Sequence, residues 1–383
     1  MAADPAMTIA WFFDMNNCRG PTGVTRHALA QLERLIARPG VRLTAVSGRI
    51  GEPDGLASWE ALGDRPDPPR RRELPVSTRT ALRIWRLVPW PPLELWTGRV
   101  DWIYCPSEYY VPRRRARRAV TSHDVLQDIR YGSPSRRELL GHALGTADRV
   151  LSVSRFNTEQ LLERFPECKG RVSTVPNAAD DLYFEPPTGA ERRAARGDAG
   201  LRPGAPYLLS VANFQERKNL PRLVRAAGRL PEVASGDLAL VLVGEGAEPQ
   251  AEAIRSAIAS IGPKATVVMP GYRQGSKLRA LYAEATALVF PSTCESFGIP
   301  TVEAMAQSCP VALADSTALP EIAGEAGWYF DPERDDALTA ALRDLLDRDA
   351  ERDRRVALGR SVASKFRWDQ ANDALMAALR DEG

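Results

Sequence analysis

Short runs of apolar residues recur along this chain. Each is halted by a loop of glycine, proline or polar residues and then followed by helical periodicity. Thr8-Ile9-Ala10-Trp11-Phe12-Phe13, Val41–Ser47, Trp102–Tyr104, Asp148–Ser154, Tyr207–Asn213, Leu238–Gly244, Ala265–Gly271, Ala287–Phe290 and Val311–Asp315 read this way. A strand that is apolar at successive positions is covered on both faces, and strands of that kind alternating with helices build parallel α/β sheets. At 383 residues the chain is too long for one ordinary sheet domain and sufficient for two, each with its own core. Pro186-Pro187-Thr188-Gly189 interrupts the pattern and is the expected linker. The region from about Gly51 to Gly98 is irregular, and Pro66-Asp67-Pro68-Pro69 with Arg70-Arg71-Arg72 reads as loop.

Charge and cysteine content narrow the function classes. Residues 1–184 hold 27 Lys and Arg against 21 Asp and Glu, and the remainder 24 against 28, so a net charge of +2 hides a mildly basic first half. That split argues against nucleic acid as a partner and permits an anionic one. The five cysteines are scattered without a C-x-x-C pair, which speaks against disulfides or a zinc site. No apolar run approaches the roughly 18 to 20 residues of a membrane span. The stretch before Met7 reads as a poorly ordered leader without signal-peptide features, so the expected location is cytoplasmic.

Several strand ends carry chemistry. After Ala287–Phe290 comes a loop with Glu295, then a helix opening near Pro300 with Glu303 one turn inside. A helix N-terminus offers unpaired N–H groups to an anion, and a carboxylate close behind has two oxygens for a vicinal diol such as ribose. A plain βα unit with solvated acids fits the same spacing. After Tyr207–Asn213, Arg217-Lys218-Asn219-Leu220 sets two cations at a strand end before a helix with an expected Asn cap, a pattern suited to a diphosphate. Gly20-Pro21-Thr22-Gly23-Val24 follows the first strand without completing a dinucleotide fingerprint. His123-Asp124 follows Ala119–Ser122, at the end where α/β sheets place their sites. Read alone, it is as consistent with a structural pair.

Together these residues carry a resemblance. Glu295-Ser-Phe-Gly-Ile-Pro-Thr-Val-Glu303, followed by Ala304-Met305-Ala306, resembles the E-x7-E signature of retaining glycosyltransferases of the family 4 type. Arg217-Lys218-Asn219-Leu220, the T-x-H-D segment at Thr121–Asp124, and the Gly327–Pro332 stretch resemble the same family. The resemblance implies the GT-B architecture: two Rossmann-like α/β domains facing each other across a cleft. Residues 1–184 would bind acceptor and 185–366 nucleotide sugar, with the helix of 367–383 crossing back to the first domain. It further implies Arg217 and Lys218 at the donor diphosphate, Glu303 at ribose, and Glu295 with the backbone of Phe297, Gly298 and Ile299 at the sugar. Gly23 and Val24 would reach the diphosphate, the backbone at Tyr272 and Arg273 the base, and His123 the donor sugar near the reacting carbon. One departure is Ser308, where the family usually has Gly. A left-handed backbone there costs Ser on the order of 1 kcal/mol.

The activity this resemblance implies is transfer of a hexosyl group, with retention and without a metal or other cofactor, from GDP-mannose or a UDP-sugar. The acceptor would be a hydroxyl of a glycan, a lipid-linked sugar or a small molecule. Residues 80–118 mix tryptophans with arginines, which suits either packing under an acceptor loop or peripheral contact with the inner face of a membrane. The dense basic run Pro112–Val120 reads as a solvated face or a site for phosphate. The rival readings are a non-catalytic nucleotide-sugar-binding protein, or another GT-B enzyme such as a phosphorylase or epimerase.

Overall fold

The computed structural model describes residues 6–18, 22–65, 68–347 and 349–381. The leader residues 1–5, Gly20 and Pro21 of the first glycine loop, and Pro66-Asp67 lie outside the described residues. The chain divides into two units, Met1–Asn177 with Trp368–Gly383, and Ala178–Arg367.

The first unit is built on a parallel sheet of β1 (Met7–Phe12), β2 (Val41–Ser47), β3 (Arg70–Glu73), β4 (Trp102–Cys105), β5 (Arg117–Ser122), β6 (Arg149–Ser152) and β7 (Val172–Thr174). Their order is β3-β2-β1-β4-β5-β6-β7. The continuous apolar runs are explained by two cores, one on each face. Ile9, Trp11, Trp102 and Tyr104 point into one, and Ala10, Phe12, Ile103 and Cys105 into the other. Such alternation is the period of a strand, so both halves of each run are needed.

The first of these cores is closed partly by the C-terminal helix Trp368–Arg380. Its Leu375, Met376 and Leu379 pack with Leu32 and Leu35 of the helix Gly23–Ala37. Full burial of each such side chain contributes about 1.5–3 kcal/mol. Polar contacts fix the register of the two helices: Asn372 donates to Gln31 at 2.9 Å, and Arg38 to Asn372 at 2.8 Å.

The second unit repeats the plan with β8 (Tyr207–Val211), β9 (Ala239–Val243), β10 (Val267–Gly271), β11 (Ala287–Phe290), β12 (Val311–Ala314) and β13 (Gly327–Phe330). The order is β10-β9-β8-β11-β12-β13, again parallel. In both sheets the chain first builds outward on one side and then returns to build on the other. The reversal leaves a crevice beyond the carboxyl ends of β1 and β4, and another beyond β8 and β11, where α/β sheets bind ligands.

Four sequence readings change. Arg70-Arg71-Arg72 is strand rather than loop: β3 pairs with β2 from Thr44↔Arg70 to Ser47↔Glu73. It is an edge strand, and the charges that disguised it are a common protection for an edge. The break at Pro186-Pro187 lies inside the second unit and leads into the helix Gly189–Asp198, where Thr188 and Glu191 form a reciprocal capping box. Asn219 precedes the helix Leu220–Ala227 without capping it. Its backbone is left-handed (φ 56°), and its side chain instead donates to the Pro332 carbonyl at 2.8 Å.

The basic run Pro112–Val120 is not a uniform solvated face either. Arg118 is 1% exposed and donates to the Val111 carbonyl at 2.8 Å, Arg113 pairs with Asp148, and Arg117 lies 4.4 Å over the Trp102 ring. Only Arg114 and Arg115 in this run are exposed. Ser308 does adopt the left-handed conformation, with φ 61°.

Candidate functional site

In the second unit the loops after β8 and β11 are stitched to each other at the crevice. The Arg217 carbonyl accepts from the Thr293 N–H at 2.8 Å and the Ser292 hydroxyl at 3.1 Å. This places three charged side chains together. Arg217 Nη1 donates to Glu295 Oε1 at 3.1 Å and to the Cys294 carbonyl at 2.7 Å, and Lys218 Nζ donates to the same Oε1. All three side chains are at least 88% buried. Burial pushes the Glu295 carboxyl up, but Lys218 and Arg217 outweigh it and hold the group below its usual range. The group therefore carries two fixed positive charges and one negative charge at the end of a parallel sheet.

Thr317, after β12, holds Glu295 from the other side. Its hydroxyl accepts the Glu295 N–H at 3.0 Å, and the next residue, Ala318, donates to the Glu295 carbonyl at 3.2 Å. Thr317 does this with a left-handed backbone, φ 55°, uncommon for a β-branched residue. Phe297, Gly298 and Ile299 continue from Glu295 into the helix Ile299–Ala306, where Pro300 has no N–H and the Thr301 N–H donates to the Gly298 carbonyl at 2.9 Å. Gly298 is required here: φ is 87°, and a Cβ would come within 2.7 Å of Leu319 Cδ2. Phe297 is buried edge-on against Phe366 at 5.4 Å.

Glu303 is 1% exposed, and its Oε2 accepts from the Tyr282 hydroxyl at 2.9 Å. Tyr272 is exposed beyond β10. Its N–H donates to Glu245 Oε1 at 3.1 Å, while Arg273 donates to the Asp198 carbonyl at 3.0 Å. Glu245 also lines a cavity of about 490 Å³ between the loops after β8 and β9, with Asn213, Gln215, Glu216, Glu248 and Gln250.

In the first unit, His123 follows β5 and is 7% exposed. Its Nε2 lies 2.8 Å from the Pro106 carbonyl, an acceptor only, so Nε2 carries the proton and Nδ1 is the acceptor. Burial pushes this imidazole down more than Glu108 and the Pro106 carbonyl raise it, so it is neutral at neutral pH. The His27 ring meets it edge-on at 4.9 Å. Glu108, 6% exposed, accepts the His123 N–H at 2.7 Å and is itself 3.6 Å from Arg136. Gly23 and Val24 open the helix Gly23–Ala37 behind Thr22, whose hydroxyl accepts from Thr25.

Thus Arg217, Lys218 and Glu295 are in mutual contact, and Phe297–Ile299 adjoin them in the chain. Sequence reasoning overlooked Glu108, Tyr282 and Thr317. Glu108 follows the short strand Trp102–Cys105 by three residues, a position that could have drawn notice. Nothing in the sequence marks Thr317. Among the described residues no group of three His, Cys, Asp or Glu is placed to hold a metal ion.

Comparison with known proteins agrees with this architecture. The family model described as Glycosyl transferases group 1 matches residues 191–362, and that described as Glycosyltransferase Family 4 matches residues 21–181. The chain is 28% identical over 375 residues to the O-antigen chain mannosyltransferase B of Escherichia coli, covering 94% of this chain and 96% of that one. Among solved structures, sucrose-phosphate synthase from Thermosynechococcus elongatus superposes with a TM-score of 0.74 at 19% identity, over 98% of both chains. Anabaena HepE in complex with UDP and glucose gives 0.73 at 15%, over 97% of this chain and 99% of that one. At such identities these two likenesses establish the fold, which is GT-B.

Proposed function

We propose, for a chain that is a GT-B glycosyltransferase of the group 1/family 4 type, that it moves a hexose with retention from a nucleoside-diphosphate sugar to a hydroxyl of a glycan. The observation that carries the proposal is the contact of Arg217, Lys218 and Glu295 beyond the adjacent strands β8 and β11. Two fixed cations there suit a diphosphate whose charge grows as the sugar–oxygen bond breaks, so they act on the transition state. No metal is assigned to this step, because Arg217 and Lys218 supply the positive charge. As the new bond from the acceptor oxygen to the sugar carbon forms on the same face, the acceptor proton passes to the departing phosphate oxygen. Glu295 and the backbone of Phe297–Ile299 position the sugar, His123 supports it near the reacting carbon, and Gly23 and Val24 approach the diphosphate with backbone N–H groups.

Glu303 is assigned to ribose, which requires the diol to share or replace the hydroxyl of Tyr282. The backbone at Tyr272 and Arg273 is assigned to the base. The carboxylates of Glu216 and Glu245 in the neighbouring cavity favour a base edge rich in N–H donors. Guanine has more such donors than uracil, which favours GDP-mannose over a UDP-sugar. The O-antigen chain mannosyltransferase relative supports mannose as the transferred sugar and a role in polysaccharide biosynthesis.

The reading is tested with GDP-mannose in the absence of acceptor. The protein should release mannose slowly, with the α anomer formed first in proton NMR, and Glu295→Ala and Lys218→Ala should lose this. Variants matching the wild type would overturn the site assignment, and a β product would overturn retention. Among GDP, UDP, ADP and dTDP, GDP should raise the melting temperature most, since the shift follows affinity.

A further inference from the structure

The first unit carries a patch that the donor chemistry does not use. The helix Thr78–Leu87 buries Thr78, Ala81 and Trp85, the last with its ring 5.7 Å from Phe12. The opposite side presents Arg79, Arg83, Ile84, Arg86 and Leu87 to solvent, and the chain continues with exposed Val88, Pro89 and Trp90. Leu87 is 81% exposed, Leu95 61% and Trp90 60%. Five of the nine large hydrophobic side chains that stand exposed among the described residues fall between positions 84 and 95. Scattered exposed hydrophobics are ordinary, but a concentration of them between positions 84 and 95 is not.

Most cations around this patch have no counter-ion among the described residues. Glu94 Oε1 accepts the N–H groups of Arg114, Arg115 and Ala116 at 2.8, 2.9 and 3.0 Å, which holds that loop beside Leu95. Arg86 pairs with Glu138 at 2.6 Å. The guanidinium groups of Arg79, Arg83, Arg114 and Arg115 have no carboxylate partner among the described residues. Protein interfaces are depleted of charge at their apolar centres. Here unpaired guanidinium groups are interleaved with the apolar side chains, which matches a layer of phosphates above hydrocarbon.

We propose that this face docks the protein on an anionic lipid surface. Leu87, Val88, Trp90 and Leu95 enter the interfacial layer, where an indole ring is at home, and Arg79, Arg83, Arg114 and Arg115 meet lipid phosphates. No helix among the described residues is long and apolar enough to cross a membrane, so the contact is peripheral. It deepens the proposed function by placing the enzyme where a lipid-linked glycan acceptor would be, and it rests on that reading only for its purpose.

The test uses the full chain with vesicles of phosphatidylcholine alone and of phosphatidylcholine with phosphatidylglycerol at roughly 3:1. Wild type should sediment with the anionic vesicles and not with the neutral ones, and brominated lipid should quench emission that Trp90→Phe removes. Leu87→Glu with Trp90→Glu should abolish sedimentation. Each basic residue near an anionic surface contributes about fivefold in partitioning, so Arg79→Gln with Arg83→Gln should lower it about 25-fold. Donor hydrolysis in solution should be unchanged in both variants, so failure here is distinguishable from failure of the transferase reading. Equal binding to both vesicle types, or none, overturns the proposal. Vesicle-independent self-association that Leu87→Glu abolishes also overturns it, and assigns the patch to a second copy of the chain.

Discussion

Replacing Glu295 with Gln isolates the central charge interaction. Lys218 and Arg217 both donate to Glu295 Oε1, and the three side chains are between 10% and 12% exposed. Removing one partner of a buried pair costs about 3–5 kcal/mol. Gln keeps the shape and one acceptor, so the lower end applies, about 3 kcal/mol. For a unit spanning Ala178–Arg367, each kcal/mol shifts Tm by about 2–4 °C, so the variant should melt about 6–12 °C below wild type at pH 7. The loss depends on pH in a defined direction. The folded carboxyl titrates below its ordinary value, so its stabilisation is complete above the unfolded pKa and disappears as pH falls through the folded one. The Tm gap should therefore narrow as both proteins are melted at decreasing pH below about 4.5. Glutamine also stops neutralising the two cations, so GDP should bind about tenfold more tightly by calorimetry, a difference of about 1.4 kcal/mol. A gap that does not change with pH, or weaker binding of GDP, would refute the reasoning.

Two further substitutions separate roles within the second unit. Glu303→Gln should weaken GDP about tenfold while leaving inorganic pyrophosphate binding unchanged, measured by calorimetry; equal losses would move Glu303 from the ribose to the phosphates. Ser308→Gly should raise stability by about 1 kcal/mol in a denaturant melt with no change in activity, because the exposed Ser308 holds φ 61° without a glycine's freedom.

The charged cluster of the second unit was legible because its residues lie where topology puts them. Arg217-Lys218 and Glu295 follow strands whose apolar runs are unmistakable, and parallel strands deliver their carboxyl-end loops to one edge. The order of the strands needed the structure, since β8 and β11 are separated by two strands in sequence and adjacent in the sheet. Strand β3 was hidden because an edge strand of Arg70-Arg71-Arg72-Glu73 has no apolar face to show. Arg118 was misread for a related reason. A buried guanidinium paired to a carbonyl has the same one-letter signature as a solvated one, and only the Val111 oxygen distinguishes them. Thr317 depends on a backbone angle that β-branched residues avoid, and nothing in the sequence predicts it.

The position of Glu295 also bears on which group can do the chemistry. A carboxylate bonded at one oxygen by both Arg217 and Lys218, with its pKa depressed, is a poor base and a poor nucleophile, because its electron pairs are already stabilised by positive charge. Besides the sugar contact proposed for it, its bonds hold the two cations in one place. The Arg217 carbonyl, bonded by Thr293 and Ser292, fixes the backbone beneath them, and Thr317 and Ala318 fix Glu295 from the other side. Cations fixed in this way need little reorganisation as charge develops on a leaving diphosphate, and that is the condition under which electrostatic stabilisation is most effective. The same carboxylate limits the net charge of the group to one positive unit, so a diphosphate is held less tightly after transfer than two uncompensated cations would hold it. In the proposed reaction Glu295 would thus favour turnover over product affinity, and would leave the departing phosphate oxygen as the base for the acceptor hydroxyl.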